Sequence, residues 1–351
     1  MRNNIIDIAK GIGIILVVAG HSMEWPKNFI YLFHMPLFFF LSGYCYNREY
    51  SNNIYSIKIL FIKRIKSLYF PFIKYGLIFW ALHNFFYKIN IYSYPEVWSH
   101  NKMTYFYTYQ DWIRSFVGII TFSRLEQLLN TFWFLPALFC TTILFAIIVL
   151  FLKNELIRCN VIFMLFFLCC NIGISENKFL RILTIVSLAL ISFYMGFLMR
   201  MYVKNIIYNK YIFLLSLILL CANSLYGYIN VSNFDFSSPG FYIVSSVSGI
   251  YFILYLSNNI KNSKCNKIFI LLGKNTISIM ALQYLAFKIV SAVIIFIYDM
   301  PWTYLSYPTL FYGTLWDIIY CIIGVIIPIL ISIISTILLN YVKRILKCFS
   351  I

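Results

Sequence analysis

Three ionisable residues stand in the first apolar run of this 351-residue chain: Asp7, Lys10 and His21. They lie within Ile-Ile-Asp-Ile-Ala-Lys-Gly-Ile-Gly-Ile-Ile-Leu-Val-Val-Ala-Gly-His-Ser, from Ile5 to Ser22. Ionisable groups cost free energy inside an apolar span, and by default they mark function. Their spacing predicts one helical face. The step from Lys10 to His21 is about 1100° of helical rotation, so His21 returns to within roughly 20° of Lys10, some 16 Å further along the axis. Asp7 falls one turn below Lys10. A neutral imidazole can take a proton from a hydroxyl, or be acylated and pass the group on. His34, early in the next apolar run, is a candidate partner for His21 or an interhelical hydrogen-bonding group. Asp7 and Lys10 have two readings. They form an i, i+3 ion pair that fixes the helix start, with Lys10 snorkelling to the interface, or Lys10 binds an anionic donor.

Such groups need a scaffold, and the composition names its class. The chain is 62% hydrophobic and only 11% charged, with mean hydropathy +0.83. A soluble domain would expose far more charge, so the expectation is an all-α, polytopic membrane bundle in one domain, 1–351. Apolar runs predict ten spans, near 4–22, 29–47, 69–88, 131–152, 157–174, 179–199, 211–229, 240–257, 277–298 and 313–340. Residues 111–129 read as an amphipathic or re-entrant helix, and 268–276 as an extension of the ninth span, which leaves an eleventh crossing open. The first run carries Asp7 and Lys10 and leads into further spans, unlike a cleaved signal peptide.

The net charge of +17 does not point to nucleic acid, because the basic residues fall in short loops between apolar runs. Placing the N-terminus in the cytoplasm puts 19 of the 28 Lys and Arg inside and seven outside, with Lys74 and Lys288 within spans. Both termini are therefore expected to be cytoplasmic. This sets Lys10 near the inner face and His21 near the outer one. The turn over Glu24-Trp25-Pro26 then brings His34 back to a similar depth. Lys63, Arg64 and Lys66, ahead of Pro71, read as a topology signal, an anionic-lipid contact or a phosphate site. Ser42 and Gly43 read as a helix-packing notch, and Trp133 as an interfacial residue. His83 and His100 are isolated. The nine cysteines lack metal-ligand spacing or a disulfide framework, and neither a P-loop nor HExxH occurs, so no metal is expected.

These blocks, in this order, resemble the acyltransferase 3 family of integral-membrane acyltransferases, with a fucose 4-O-acetylase-like branch the closest in look. Lys10 and His21 match its basic-residue-to-histidine spacing. Phe33-His34-Met35-Pro36-Leu37-Phe38-Phe39-Phe40-Leu41-Ser42-Gly43-Tyr44 resembles its second block. Lys63-Arg64-Ile65-Lys66 with Pro71 resembles a basic block before the third span. Trp133-Phe134-Leu135-Pro136-Ala137-Leu138 and Leu272-Gly273-Lys274-Asn275-Thr276 resemble later motifs. The likeness covers nearly the whole chain. It departs at the basic block, where Lys63, Arg64 and Lys66 stand for paired arginines, and at Gln283, where a histidine is expected.

The resemblance implies O-acylation, commonly O-acetylation, of a cell-surface or exported carbohydrate in a bacterial plasma membrane, with cytoplasmic acetyl-CoA as donor. By carry-over His21 is the essential histidine and Lys10 its basic partner. The resulting expectation has His21 and His34 in catalysis and Lys10, Lys63, Arg64 and Lys66 on the donor, with Asp7 and Trp133 nearby. Carbohydrate acceptor and membrane lipid are the expected partners. A flippase for lipid-linked saccharides is the main rival, since intramembrane charge suits a transport path equally well. A polysaccharide polymerase ranks third, because the 89–130 loop is modest. The oligomeric state and the acceptor sugar leave no trace in the sequence.

Overall fold

The computed structural model describes residues 4–92, 105–172, 178–203, 206–311 and 313–349. His100, noted above, lies outside them, as do Arg2, Lys102 and Lys204 of the basic residues counted there. Helices dominate, and among the described residues no strand forms beyond one isolated bridge, Asn230 to Asp235. In chain order the helices are α1 (Asn4–Ser22), α2 (Lys27–Tyr31), α3 (His34–Tyr44), α4 (Ile54–Arg64), α5 (Phe70–Lys88), α6 (Tyr109–Ile120) and α7 (Phe134–Phe151). There follow α8 (Glu155–Ile172), α9 (Lys178–Tyr202), α10 (Lys210–Tyr226), α11 (Pro239–Lys261), α12 (Asn266–Lys274), α13 (Thr276–Ile297) and α14 (Leu315–Phe349).

Among the described residues, six helical stretches are long and apolar enough to cross a membrane: Asn4–Ser22, Gln127–Phe151, Arg181–Tyr202, Pro239–Lys261, Thr276–Ile297 and Leu315–Leu338. Lys210–Tyr226 is apolar but shorter. The first expected span coincides with α1. The second does not survive as one helix. Expected over 29–47, it breaks into α2 and α3 at Leu32 and Phe33. Pro36 is the cause, because it has no N–H to give the Leu32 carbonyl and its ring collides with that carbonyl in a continuous helix. In the first turn of α3 the same proline is tolerated. The break makes His34 the opening residue of α3.

Pro71 has a gentler effect. Between α4 and α5 the residues Ile65–Tyr69 widen into a π turn, which absorbs the missing proline donor and keeps the two helices continuous. The segment at 111–129 does not supply a crossing as one helix. Its helix α6 has 12 residues, about 18 Å, and starts at a capping box in which Asp111 accepts from the Thr108 hydroxyl and amide at 2.6 and 3.0 Å. Those bonds hold the Asp111 carboxyl below its ordinary range. Residues 268–276 do not extend α13 either. All but the last two belong to α12, which is separated from α13 at Asn275, whose side chain is held by the Leu271 carbonyl and the Ser332 hydroxyl.

The helices that matter for the first apolar run are α12, α11, α14, α13 and α3, all of which pack on α1. Glycines allow the closest approaches. A methyl built on Gly11 would land on the Phe269 carbonyl, and one on Gly273 on the Asp7 carbonyl, so α1 and α12 meet backbone to backbone. A methyl on Gly43 would strike the Phe193 carbonyl and one on Gly196 the Phe40 carbonyl, the same device between α3 and α9. This gives Gly43 the packing role expected of it. The α2–α3 stretch runs antiparallel to α1, with Gly13 against Leu37 and Phe38 of α3 and Gly20 against Ile30 and Tyr31 of α2.

At the other end of α13, Lys288 is buried and donates to three carbonyls, those of Leu305, Ser306 and Tyr307, at 2.9, 3.1 and 2.6 Å. All three ammonium protons are thereby used, which explains a lysine inside an apolar helix without a catalytic role. Lys288→Met should lower the thermal midpoint by several degrees, a loss of roughly 2–3 kcal/mol for an unpaired set of carbonyls. Scanning fluorimetry in detergent reads this directly. An unchanged midpoint would mean the 302–307 turn is held by other contacts.

Candidate active site

His21 closes the last turn of α1 and is half-buried. Its Nδ1 lies 3.0 Å from the Tyr284 hydroxyl of α13 and 3.5 Å from that of Tyr31. Tyr31 gives its one proton to the Gly20 carbonyl at 3.1 Å, so toward the imidazole it can only accept. That polarity suits a proton on His21 Nδ1, shared with the two phenol oxygens, which leaves the Nε2 lone pair as the base.

His34 is brought close but not into contact through hydrogen bonds. The Tyr31 ring lies between the two imidazoles, 6.3 Å from His21 and 4.9 Å from His34, centre to centre. His34 is buried, and its Nδ1 donates at 3.0 Å to the Ile30 carbonyl, which also accepts the Phe33 N–H where α2 ends. Its proton therefore sits on Nδ1 and its Nε2 carries a lone pair in the neutral ring. Tyr31 thus spaces the two histidines, edge-on to His21 and tilted against His34. Neither tyrosine stood out in the sequence; Tyr284 is 263 positions from His21.

At the other end of the same face, Lys10 is half-buried and makes no hydrogen bond or ion pair with a described residue. The ion pair with Asp7 is thus absent. Asp7 is buried at the α1–α12 contact. An unpaired, partly desolvated ammonium is a ready site for an anionic group.

The basic block divides by residue. Lys63 is committed to Tyr50, 2.7 Å from its hydroxyl and 5.1 Å from its ring centre. Lys66 is exposed. Arg64 is half-buried, and its Nε is buried without a partner among the described residues. Arg64 faces Tyr50, Cys45 and Tyr46, just past the end of α3. Because α1 and α3 are antiparallel, this is the same end of the bundle as Lys10. The block does not pack on α1, however; α4 rests on the 48–51 turn and on α7. Lys10 and Arg64 thus share an end without touching.

Trp133 ends the 3-10 stretch Gln127–Trp133 and packs, half-buried, against the core. Its neighbours anchor it there. Thr131 donates to the Met280 carbonyl at 2.9 Å, and the Phe134 ring lies 5.0 Å from that of Phe39. Met280 is one turn before Tyr284, so this stretch braces the helix that reaches His21. Next to Tyr284, Gln283 is fully buried, and neither its Oε1 nor its Nε2 has a partner among the described residues. Each such group costs about 1–3 kcal/mol.

A second polar cluster surrounds His83, which sequence reasoning passed over. His83 Nε2 donates to the Tyr105 carbonyl at 2.9 Å, and Nδ1 lies 2.8 Å from the buried Glu126 carboxylate. With Nε2 committed as a donor, one proton must sit between Nδ1 and Glu126, so the buried pair is neutral overall. The Tyr107 ring stacks on His83 at 3.3 Å, and its hydroxyl reaches Glu126 at 3.1 Å. Burial, and then the carboxylate beside it, push the Tyr107 phenol above the usual tyrosine range. Every polar group of His83 is satisfied, which makes this a clamp between α5 and the segment leading to α7. Among the described residues no cluster of His, Cys, Asp and Glu could hold a metal.

A proton-accepting imidazole and, among the described residues, an unpaired cation thus lie on one face of α1 within a hydrophobic bundle. The model of the acyltransferase domain family, acyltransferase 3, matches residues 3–338. The chain belongs to the acyltransferase 3 family. No curated protein and no solved structure matches the chain. This acyltransferase is therefore a multi-pass membrane enzyme that transfers an acyl group.

Proposed function

We propose that this enzyme takes an acetyl group from cytoplasmic acetyl-CoA and places it on a hydroxyl of an exported or cell-surface carbohydrate. The setting would be a bacterial plasma membrane, with ten crossings and both termini cytoplasmic. The observation that carries the reading is the division of labour along α1. An unpaired cation, Lys10, lies at one end of a helical face and a phenol-supported imidazole, His21, at the other.

In this reading Lys10 and Arg64 meet the phosphates of the donor and its thioester lies up the bundle at His21. His21 Nε2 takes the proton of the sugar hydroxyl as the oxygen attacks the thioester carbonyl. The C–S bond then breaks, the ester forms and the thiolate leaves with the proton from the imidazolium. Transfer through an acetyl-imidazole uses the same atoms in two steps. His34, through the Tyr31 spacer, holds the far side of the His21 pocket. Lys63 and Lys66 serve the inner surface, where anionic lipid headgroups lie.

The test is label transfer. Purified protein incubated with acetyl-labelled CoA and exported glycan fractions should yield glycan carrying an alkali-labile labelled ester. A saccharide transporter would leave all label on CoA, and that result would sink the proposal.

A further inference from the structure

Gln283, close to Tyr284 and so to His21, is fully buried, and among the described residues both of its hydrogen-bonding atoms are idle. Its position follows from the packing of α13 on α14. The two helices are antiparallel, with Ser278 beside Ser332 at 3.5 Å, Phe287 against Gly324 and Ser291 bonded to Tyr320 at 2.8 Å. Each step along α13 thus matches a step back along α14. Gln283 shares the face of Phe287 and Ser291, at intervals of four, and falls opposite Pro328.

Pro328 lies inside α14. It has no N–H, so it withdraws the usual helical donor from the Gly324 carbonyl. Val18 of α1 closes the junction one turn outward, beside Gly324 and Phe287. One turn inward on α1 is the buried Ile14, which stands on the Lys10–His21 face. The idle carboxamide therefore lies between the levels of Lys10 and His21, among apolar walls.

A carboxamide offers one acceptor and one NH₂, and a secondary amide answers with one donor and one acceptor. A sugar offers several hydroxyls and needs several polar partners, which these walls lack. The position, on the inner side of His21, also belongs to the donor's path. α14 is the wall able to yield: only 28% of its membrane window is buried in the bundle, against 72% for α13, and a proline interrupts it.

We propose that Gln283 is the hydrogen-bonding station for the amide-bearing arm of the thioester donor, reached beside α14 at Pro328. This rests on the coenzyme A reading above. It makes Gln283 a positioning residue for the donor, distinct from the groups that move the proton.

The test uses the full chain in detergent with three probes: acetyl-CoA, CoA, and adenosine 3′,5′-bisphosphate, which has no arm. Gln283→Met should bind CoA and acetyl-CoA about 10-fold more weakly, bind the bisphosphate as wild type does, and melt at the same temperature or higher. Gln283→Asn, which keeps the polar group but shortens it, should show the same selective loss and covers the case of a Met variant that does not fold. CoA binding within twofold of wild type would overturn the proposal. So would equal losses for CoA and the bisphosphate, which would mark general damage. Wild-type protein that binds neither CoA nor acetyl-CoA would instead overturn the donor reading itself.

Discussion

His21→Ala should reduce acyl transfer by roughly 10²–10⁴-fold, while the protein still inserts and purifies as wild type does. The expected survival of the fold follows from position. His21 is half-buried in the last turn of α1, and among the described residues its side chain bonds to the hydroxyls of Tyr284 and Tyr31 alone. Of these, Tyr31 keeps its own bond to the Gly20 carbonyl without the imidazole. Removing the ring thus deletes the proton acceptor and little of the packing. Turnover is measured with labelled acetyl-CoA and a glycan acceptor, and folding by size-exclusion profile. Transfer retained at more than a tenth of the wild-type rate would remove His21 from the chemistry. A profile that collapses together with activity would show that the imidazole mainly holds the helix end.

Gly11→Val should have the largest effect on folding. The added carbons would enter the space of the Phe269 carbonyl, and α12 answers with Gly273 against the Asp7 carbonyl. Backbone meets backbone here, so no rotamer change relieves the collision. The cost exceeds the roughly 1–3 kcal/mol of ordinary overpacking. Loss of the monodisperse peak in detergent is the expected readout, with activity lost in proportion. Gly240→Ala is the internal control, because nothing lies within 4 Å of a methyl built there. Equal behaviour of the two variants would contradict the α1–α12 contact.

The first helix was fully legible in the sequence, from Asn4 to Ser22, because its apolar run and its ionisable residues share one period. The shared face of Lys10 and His21 followed from helical geometry alone. The break before His34 was also written there, in Pro36, but the run of Leu and Phe around it outweighed the proline. Local pattern cannot show distant partners. Tyr284 reaches His21 across 263 residues and Lys288 bonds to a turn 17 to 19 residues on. The same limit hid the His83–Glu126 clamp, whose members are 43 residues apart. Length was misleading for 111–129: the stretch is long enough to cross only if it is one helix, and it ends at Ile120. The basic block was visible as a cluster, yet which member stays free was not. Tyr50 occupies Lys63 and leaves Arg64 Nε unmatched, and that depends on the turn at Arg48–Ser51.

Lys288 and Tyr284 are one helical turn apart on α13, the first tied to the 305–307 turn and the second to His21. The 305–307 turn and the imidazole are therefore joined through one stiff rod, and the turn cannot swing without dragging the phenol away from the imidazole. Under the function proposed above, an acceptor arriving beside that turn would meet a fixed outline, and a terminal or protruding sugar would be admitted where an internal one is too broad.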